Sequence, residues 1–158
     1  SLYGPGDNYH PENSHVIPAL IRKIHIAKVN QLSEVVVWGS GRPRREFVYI
    51  DDMSEAIIHI MNLDLAQYME HTKDMVSHIN IGFGNDITIE DLAKQLVKIV
   101  GYEGKMVFDS NKPDGVFRKL MDSSLIKSLG WKASISLEDG LALTYNDYLK
   151  NKNSLRSD

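Results

Sequence analysis

Residues Val35–Asp52 read VVVWGSGRPRREFVYIDD, and this stretch decides how the chain is organised. Two apolar runs rich in β-branched and aromatic residues flank a Gly-Ser-Gly-Arg-Pro-Arg-Arg bend. The pattern predicts a strand over Glu34–Trp38, its partner over Glu46–Ile50 after the turn, and a helix capped by Asp51 or Asp52. Three arginines on one bend with Trp38 at its foot suit a flat anionic ligand. A guanidinium offers a rigid fork to phosphate oxygens, and an indole offers a face for stacking. The competing reading is a solvated hairpin tip, and the stretch by itself leaves both open.

Upstream, residues 1–13 are rich in Gly, Pro, Asp and Asn and are predicted as loop, with a tight Leu2-Tyr3-Gly4-Pro5 turn. Asn13-Ser14 supplies a helix cap, and Val16, Leu20, Ile24 and Ala27 then recur at helical spacing. Pro18 falls in the early turns of that helix, where a missing N–H costs least. Downstream, Ala56, Ile57, Ile60, Met61 and Leu65 mark one helical face, Gln67–Ser77 reads as polar loop with some helix, and His78–Gly82 as a short strand. Thr88-Ile89-Glu90-Asp91 resembles a capping box that opens a helix through Leu92, Leu96, Ile99 and Val100, stopped by Gly101. Lys105–Asp109 reads as a strand, residues 110–115 as a strong turn, and Ser124–Leu129 as a short helix. A last amphipathic helix, capped at Ser136, runs to about Lys150, and residues 151–158 form a polar tail. Alternation of short strands with helices predicts a mixed α/β architecture with few strands.

A chain of 158 residues with 42% hydrophobic and 25% charged residues is long enough for one buried core. Its net charge of −3 opposes a nucleic-acid partner. No apolar run reaches the roughly 18 residues of a membrane span, so no membrane association is expected. No secretory signal opens the chain, and a cytoplasmic location is the simplest expectation. The absence of cysteine excludes disulfides, Cys-ligated zinc and a Cys nucleophile within these residues. The chain opens without Met on a turn, which reads as a piece of something longer.

Gly82-Phe83-Gly84 lacks the third glycine of a dinucleotide fingerprint and reads as a turn. His10 and His15 are five residues apart with Asp7 and Glu12 nearby, but one lies in loop and the other at a helix start, so no metal is expected. An imidazole at a helix start beside a polar loop can instead serve as a general acid or base, or be only a surface histidine. The basic residues Lys23, Arg42, Arg44, Arg45, Lys105, Arg118 and Lys119 are scattered in sequence, which usually means a solvated surface. Several of them lie on turns beside strands, where a mixed sheet presents ligand loops, so convergence on one diphosphate is the sharper reading.

The ordered set Leu2-Tyr3-Gly4-Pro5, residues 13–20 (NSHVIPAL), residues 36–41 (VVWGSG), Arg45-Glu46-Phe47, Asp51-Asp52-Met53, residues 78–82 (HINIG) and Lys112-Pro113-Asp114-Gly115 resembles the C-terminal half of the GDP-L-fucose synthases. These are NADPH-dependent GDP-4-keto-6-deoxy-D-mannose 3,5-epimerase-4-reductases of the extended short-chain dehydrogenase/reductase superfamily, in the NAD-dependent epimerase/dehydratase family. The resemblance spans about residues 1–150. It implies a C-terminal substrate-binding domain with a small sheet, flanking helices and no Rossmann domain. The alternatives are another nucleotide-sugar epimerase, reductase or dehydratase of that superfamily, or a non-catalytic nucleotide-sugar-binding module.

The resemblance implies that His15 is the general acid that protonates the sugar carbon, and that it also lies at the cofactor. It implies that Lys23, Trp38 and Arg45 contact the GDP-sugar, with Lys119 and Lys105 on the other side of the pocket. Leu2 is expected at the nicotinamide end of NADP, and Arg42 and Arg44 as solvated turn residues. Lys23 stands where the family often has Arg, keeping the charge but losing the bidentate fork. The glycine-rich NADP loop, the Ser and Tyr-x-x-x-Lys of the reduction, and the catalytic Cys are expected upstream of residue 1, with no Tyr-x-x-x-Lys pair in this stretch. By itself the stretch is expected to be inactive and to bind no NADP(H), while the full-length enzyme is expected to be a homodimer converting GDP-4-keto-6-deoxy-D-mannose to GDP-L-fucose. Apolar faces around Asp51–Leu65 and His78–Gly82 are expected to pack on the dinucleotide domain and, left open, to drive self-association.

Overall fold

The apolar run Glu34–Trp38 becomes a strand, but its partner is not the run that follows the arginine bend. The computed structural model describes residues 1–152. In it β1 (Leu2–Tyr3) and α1 (Val16–Val29) are followed by β2 (Glu34–Trp38), β3 (Arg44–Arg45) and β4 (Val48–Tyr49). Then come α2 (Ile50–Met61), α3 (Leu65–His71), β5 (Ile87–Thr88), α4 (Ile89–Val100) and β6 (Lys105–Asp109). The described chain closes with β7 (Arg118–Lys119), α5 (Ser124–Ser128) and α6 (Leu137–Asn151).

β2 pairs in parallel with β6, Glu34 opposite Lys105 and Trp38 opposite Asp109. β4 pairs in parallel with β1, so the predicted loop at residues 1–13 contains a strand. β3 lies between β5, which runs antiparallel to it, and β7, which runs parallel. The predicted hairpin fails for a local reason. Gly39 and Gly41 take φ of +86° and +78°, and Pro43 has no N–H to give an antiparallel ladder, so the chain turns away from β2. Three small sheets replace the single small sheet expected.

Helix starts also shift. His15, rather than Asn13 or Ser14, is the N-cap of α1, and no side chain caps that end. The loop uses Asn13 otherwise: its N–H donates to His10 Nδ1 at 3.2 Å, and its carbonyl accepts from Asn8 Nδ2 at 3.3 Å. Tyr49 is the N-cap of α2, and Asp51 and Asp52 lie in its first turn. Asp52 is buried and accepts from Ser134 N–H and Oγ, both at 2.9 Å, and from Ile135 N–H at 3.0 Å. It fastens the loop before α6 rather than capping a helix. Residues 78–82 form no strand; Ile79 and Ile81 instead pack on a small cluster of Ala56, Ile126 and Trp131. The capping boxes form as expected: Thr88 Oγ1 accepts from Asp91 N–H at 3.0 Å, and Ser136 Oγ from Asp139 N–H at 3.1 Å.

The main core lies where α1 packs on β2 and α4, and α4 on α6, with Ile17, Ile21, Ile24, Leu92, Leu96 and Leu141 fully buried. Side chains of that size each contribute roughly 1.5–3 kcal/mol when removed from water. This framework holds the ends of β2, β3 and β7 beside the start of α1. By contrast, Ile57, Ile58, Met61, Leu65 and Met69 on α2 and α3 stay exposed. Of the tail expected at 151–158, Asn151 ends α6 and residues from 153 onward lie outside the described residues.

Candidate functional site

A cavity of about 370 Å³ opens where the start of α1 meets the carboxyl ends of β2 and β3. Leu2, His15, Trp38, Arg45 and Lys119 line it together, although they are spread over most of the chain. Lys23 lines an adjoining hollow of about 270 Å³ that shares Val16, Trp38 and Ile89 with the first. The indole of Trp38 therefore stands between two hollows. Leu2 also borders a third hollow, of about 200 Å³, formed with residues 3–7 and Ile50.

Lys105 is not brought to this place. It pairs with Glu34 at the far end of β6, four residues before Asp109, so a strand rise of about 3.3 Å puts it roughly 13 Å from the Trp38 end. Arg44 differs from expectation in another way. It is half-buried, its Nε donates to Asp86 Oδ1 at 2.9 Å, and it donates a second hydrogen bond to the Asp86 carbonyl at 3.0 Å. Arg42 is exposed, as the sequence implies.

Trp38 is 56% exposed, but its ring is not bare. The ammonium of Lys23 lies 4.2 Å from the ring centroid and that of Lys112 lies 5.2 Å away, both within cation–π range. Burial lowers the Lys23 ammonium from its ordinary value. Lys112 is held near the indole by its turn. Asp114, two residues on, accepts from Ser40 N–H at 2.8 Å and from Ser40 Oγ at 2.6 Å. Those bonds, with Arg42 adding to them, hold its carboxyl below the usual range. The approach is close enough that a Cβ on Gly39 would lie 2.5 Å from Asp114 Oδ1, so the positive φ and the contact both require glycine there.

Arg45 is half-buried, and one of its guanidinium nitrogens donates to the Arg44 carbonyl at 2.7 Å. Among the described residues its other side-chain donors make no hydrogen bond or ion pair. The next residue, Glu46, is buried, and its carboxylate accepts from Gly84 N–H at 2.6 Å and Met121 N–H at 3.2 Å. That pins the chain two residues beyond Lys119 to the strand that carries Arg45. The His15 imidazole is exposed on the cavity wall and is not used as a helix cap. Nearby Asp7 is pushed up by burial, offset by the Asn8 backbone N–H and by His15.

His10 serves the loop: its Nδ1 accepts from Glu12 and Asn13 N–H at 3.1 and 3.2 Å. Among the described residues no group of three or more His, Cys, Asp or Glu side chains could hold a metal ion. No helix there is long and apolar enough to cross a membrane. Contrary to the expectation that no such pair occurs, Tyr148 and Lys152 do have the Tyr-x-x-x-Lys spacing. They lie at the end of α6, where Tyr148 is buried against Tyr9 and His25, and neither residue lines the cavity.

Sequence reasoning missed Lys112 as a neighbour of Trp38, Asp114 as the pin of the rim, and Asp86 as the partner of Arg44. The motif Lys-Pro-Asp-Gly was visible, but as a turn; only its fold against Ser40 shows what the Asp and Lys do.

Comparison with known proteins identifies the family to which the chain belongs. The model of the NAD dependent epimerase/dehydratase family matches residues 1–82. The chain is 53% identical over 156 residues to a GDP-L-fucose synthase of Escherichia coli (strain K12), covering 99% of this chain and 49% of that protein. It is 53% identical over 151 residues to GDP-L-fucose synthase 1 of Arabidopsis thaliana, covering 96% of this chain and 44% of that one. The chain thus spans about half the length of the curated relatives it matches. The crystal structure of a GDP-L-fucose synthetase from Naegleria fowleri bound to NADP superposes with a TM-score of 0.85 at 26% identity, covering 99% of this chain and 47% of that one.

Proposed function

This chain belongs to the NAD dependent epimerase/dehydratase family, and from that premise we propose that residues 1–150 form the GDP-sugar-binding domain of a GDP-L-fucose synthase. The intact enzyme epimerises GDP-4-keto-6-deoxy-D-mannose at C3 and C5 and reduces C4 with NADPH. Supporting this reading above all is one cavity that collects His15, Trp38, Arg45 and Lys119.

In this reading Arg45 grips the diphosphate with its free donors and Lys119 adds a point charge opposite it. Trp38, flanked by Lys23 and Lys112, borders the nucleoside. His15, whose ring makes no hydrogen bond among the described residues, holds or delivers the proton at the sugar carbon. Towards NADP(H) the described residues offer an edge, since Leu2 is 46% exposed at the cavity and continues into the hollow beside Tyr3. An apolar side chain of that exposure suits one face of a nicotinamide, and the cofactor, when bound, supplies the hydride for C4. Leu2 then packs against it and His15 lies beside it. Family resemblance supports a cytoplasmic homodimer.

The test is product formation by the intact protein. Incubation with GDP-4-keto-6-deoxy-D-mannose and NADPH is expected to consume the cofactor and give GDP-L-fucose. Cofactor consumption only with a different nucleotide sugar would place the protein elsewhere in its family.

A further inference from the structure

We propose that Asp86 is a positioning residue for the cationic wall of the pocket: by pairing with Arg44 and Arg118 on one face of the β5–β3–β7 sheet, it fixes the register that turns Arg45 and Lys119 into the cavity on the other. The assignment rests on the reading of that cavity as a GDP-sugar site. β3 and β7 place Arg44 opposite Arg118 and Arg45 opposite Lys119, four basic residues on two adjacent rungs. Like charges directly opposite across a strand pair are destabilising. An anion that offsets part of the charge on one rung therefore favours this pairing.

Asp86 is that anion. Its carboxylate accepts from Arg44 Nε at 2.9 Å through Oδ1 and from Arg118 Nε through Oδ2, and its carbonyl accepts a further bond from Arg44 at 3.0 Å. The carboxylate is 5% exposed, while the two guanidiniums it joins are 37% and 55% exposed. It immediately precedes β5, whose Ile87 and Thr88 pair with Arg45 and Arg44. The anion is therefore fixed to the sheet by its own backbone and reaches across β3 to β7.

Side chains of successive strand residues point to opposite faces. With Arg44 and Arg118 tied to Asp86, Arg45 and Lys119 face the opposite way, and both line the cavity. Among the described residues neither Arg44 nor Arg118 has another carboxylate partner within ion-pair distance. Among the described residues Arg45 and Lys119 have no carboxylate partner, while the carboxylate beside this strand pair is taken up by their neighbours.

The experiment uses the intact protein, with KM and kcat for GDP-4-keto-6-deoxy-D-mannose, the Kd for GDP and the thermal midpoint measured on each variant. Asp86→Asn is expected to raise KM and the GDP Kd about tenfold while kcat stays within about twofold, because uniform binding is lost and not the chemistry. Asp86→Glu, which keeps the charge, restores most of the affinity. A folded Asp86→Asn protein that binds GDP like wild type, or that loses kcat with KM unchanged, overturns the assignment. Should Asp86→Asn fail to fold, Arg118→Leu replaces it: a raised KM is expected although Arg118 points away from the cavity, and an unchanged KM overturns the assignment. Wild-type protein that does not bind GDP overturns the reading of the cavity and this assignment with it. GDP binding lost in Arg45→Met but kept in Asp86→Asn overturns the assignment alone.

Discussion

Arg45 and Lys119 lie directly opposite one another across the parallel pair β3–β7, and both side chains line the same cavity. Seventy-odd residues of chain separate them, yet the sheet register sets the two cations side by side at one cavity. In the proposed enzyme Arg45→Lys keeps the charge and loses the fork, and is expected to weaken GDP binding about tenfold. Lys119→Met is expected to weaken it similarly, with both losses shrinking as ionic strength rises. Calorimetric titration at two salt concentrations checks this.

His15 lines the cavity, and no hydrogen bond ties its ring to the α1 N-terminus that it caps. His15→Ala is therefore expected to leave GDP affinity within about twofold while lowering epimerisation by roughly a hundredfold or more, the range of a lost general acid. Deuterium exchange into the sugar at C3 and C5 reads the step directly. Loss of GDP affinity would make His15 a binding residue instead.

Lys23 and Lys112 flank Trp38 at 4.2 and 5.2 Å. Lys23→Met is expected to shift Trp38 emission and to weaken GDP binding about fivefold, while Lys23→Arg keeps both, since either cation can lie over the indole. Fluorescence of a Trp131→Phe background isolates the Trp38 signal.

His25 is buried between α1 and α6, where its Nδ1 lies 3.0 Å from the Tyr145 hydroxyl and its Nε2 lies 3.3 Å from Lys152 Nζ. Burial first, then Lys152 and Lys28, push its pKa below the ordinary value of 6.5. The unfolded chain then binds a proton below about pH 6.5 that the folded chain refuses, so stability falls as pH drops through that value towards the folded-state value. Urea midpoints across this range should decline for wild type and decline less for His25→Gln.

Ile57, Ile58, Met61, Leu65 and Met69 are exposed apolar side chains carried by α2 and α3. Residues 1–158 studied as an isolated chain are expected to self-associate through them, and Ile58→Glu with Met61→Glu to disperse the assembly. Sedimentation velocity over a concentration series distinguishes the two, and a wild-type chain that stays monomeric contradicts the expectation.

Helix ends closed by local chemistry were legible in the sequence. Thr88 with Asp91 and Ser136 with Asp139 need only four residues to define a cap, and both form. Strand pairing was not legible, because β2 finds β6 about seventy residues away and nothing in the run Glu34–Trp38 specifies that partner. The same long-range pairing explains the site. Trp38, Arg45 and Lys119, singled out by motif, line one cavity, whereas only the register of β6 shows that Lys105 lies at its far end. Arg44 looked like a solvated turn residue because its partner, Asp86, lies 42 positions on in what reads as a loop.

Most directly, GDP is titrated into the intact protein, wild type beside an Arg45→Met, Lys119→Met double variant of unchanged thermal midpoint. A GDP-sugar site in this cavity requires saturable single-site binding by wild type and a loss of about a hundredfold in the double variant, two charge-assisted contacts being removed together. Equal binding by both proteins, or no binding by wild type, would contradict it.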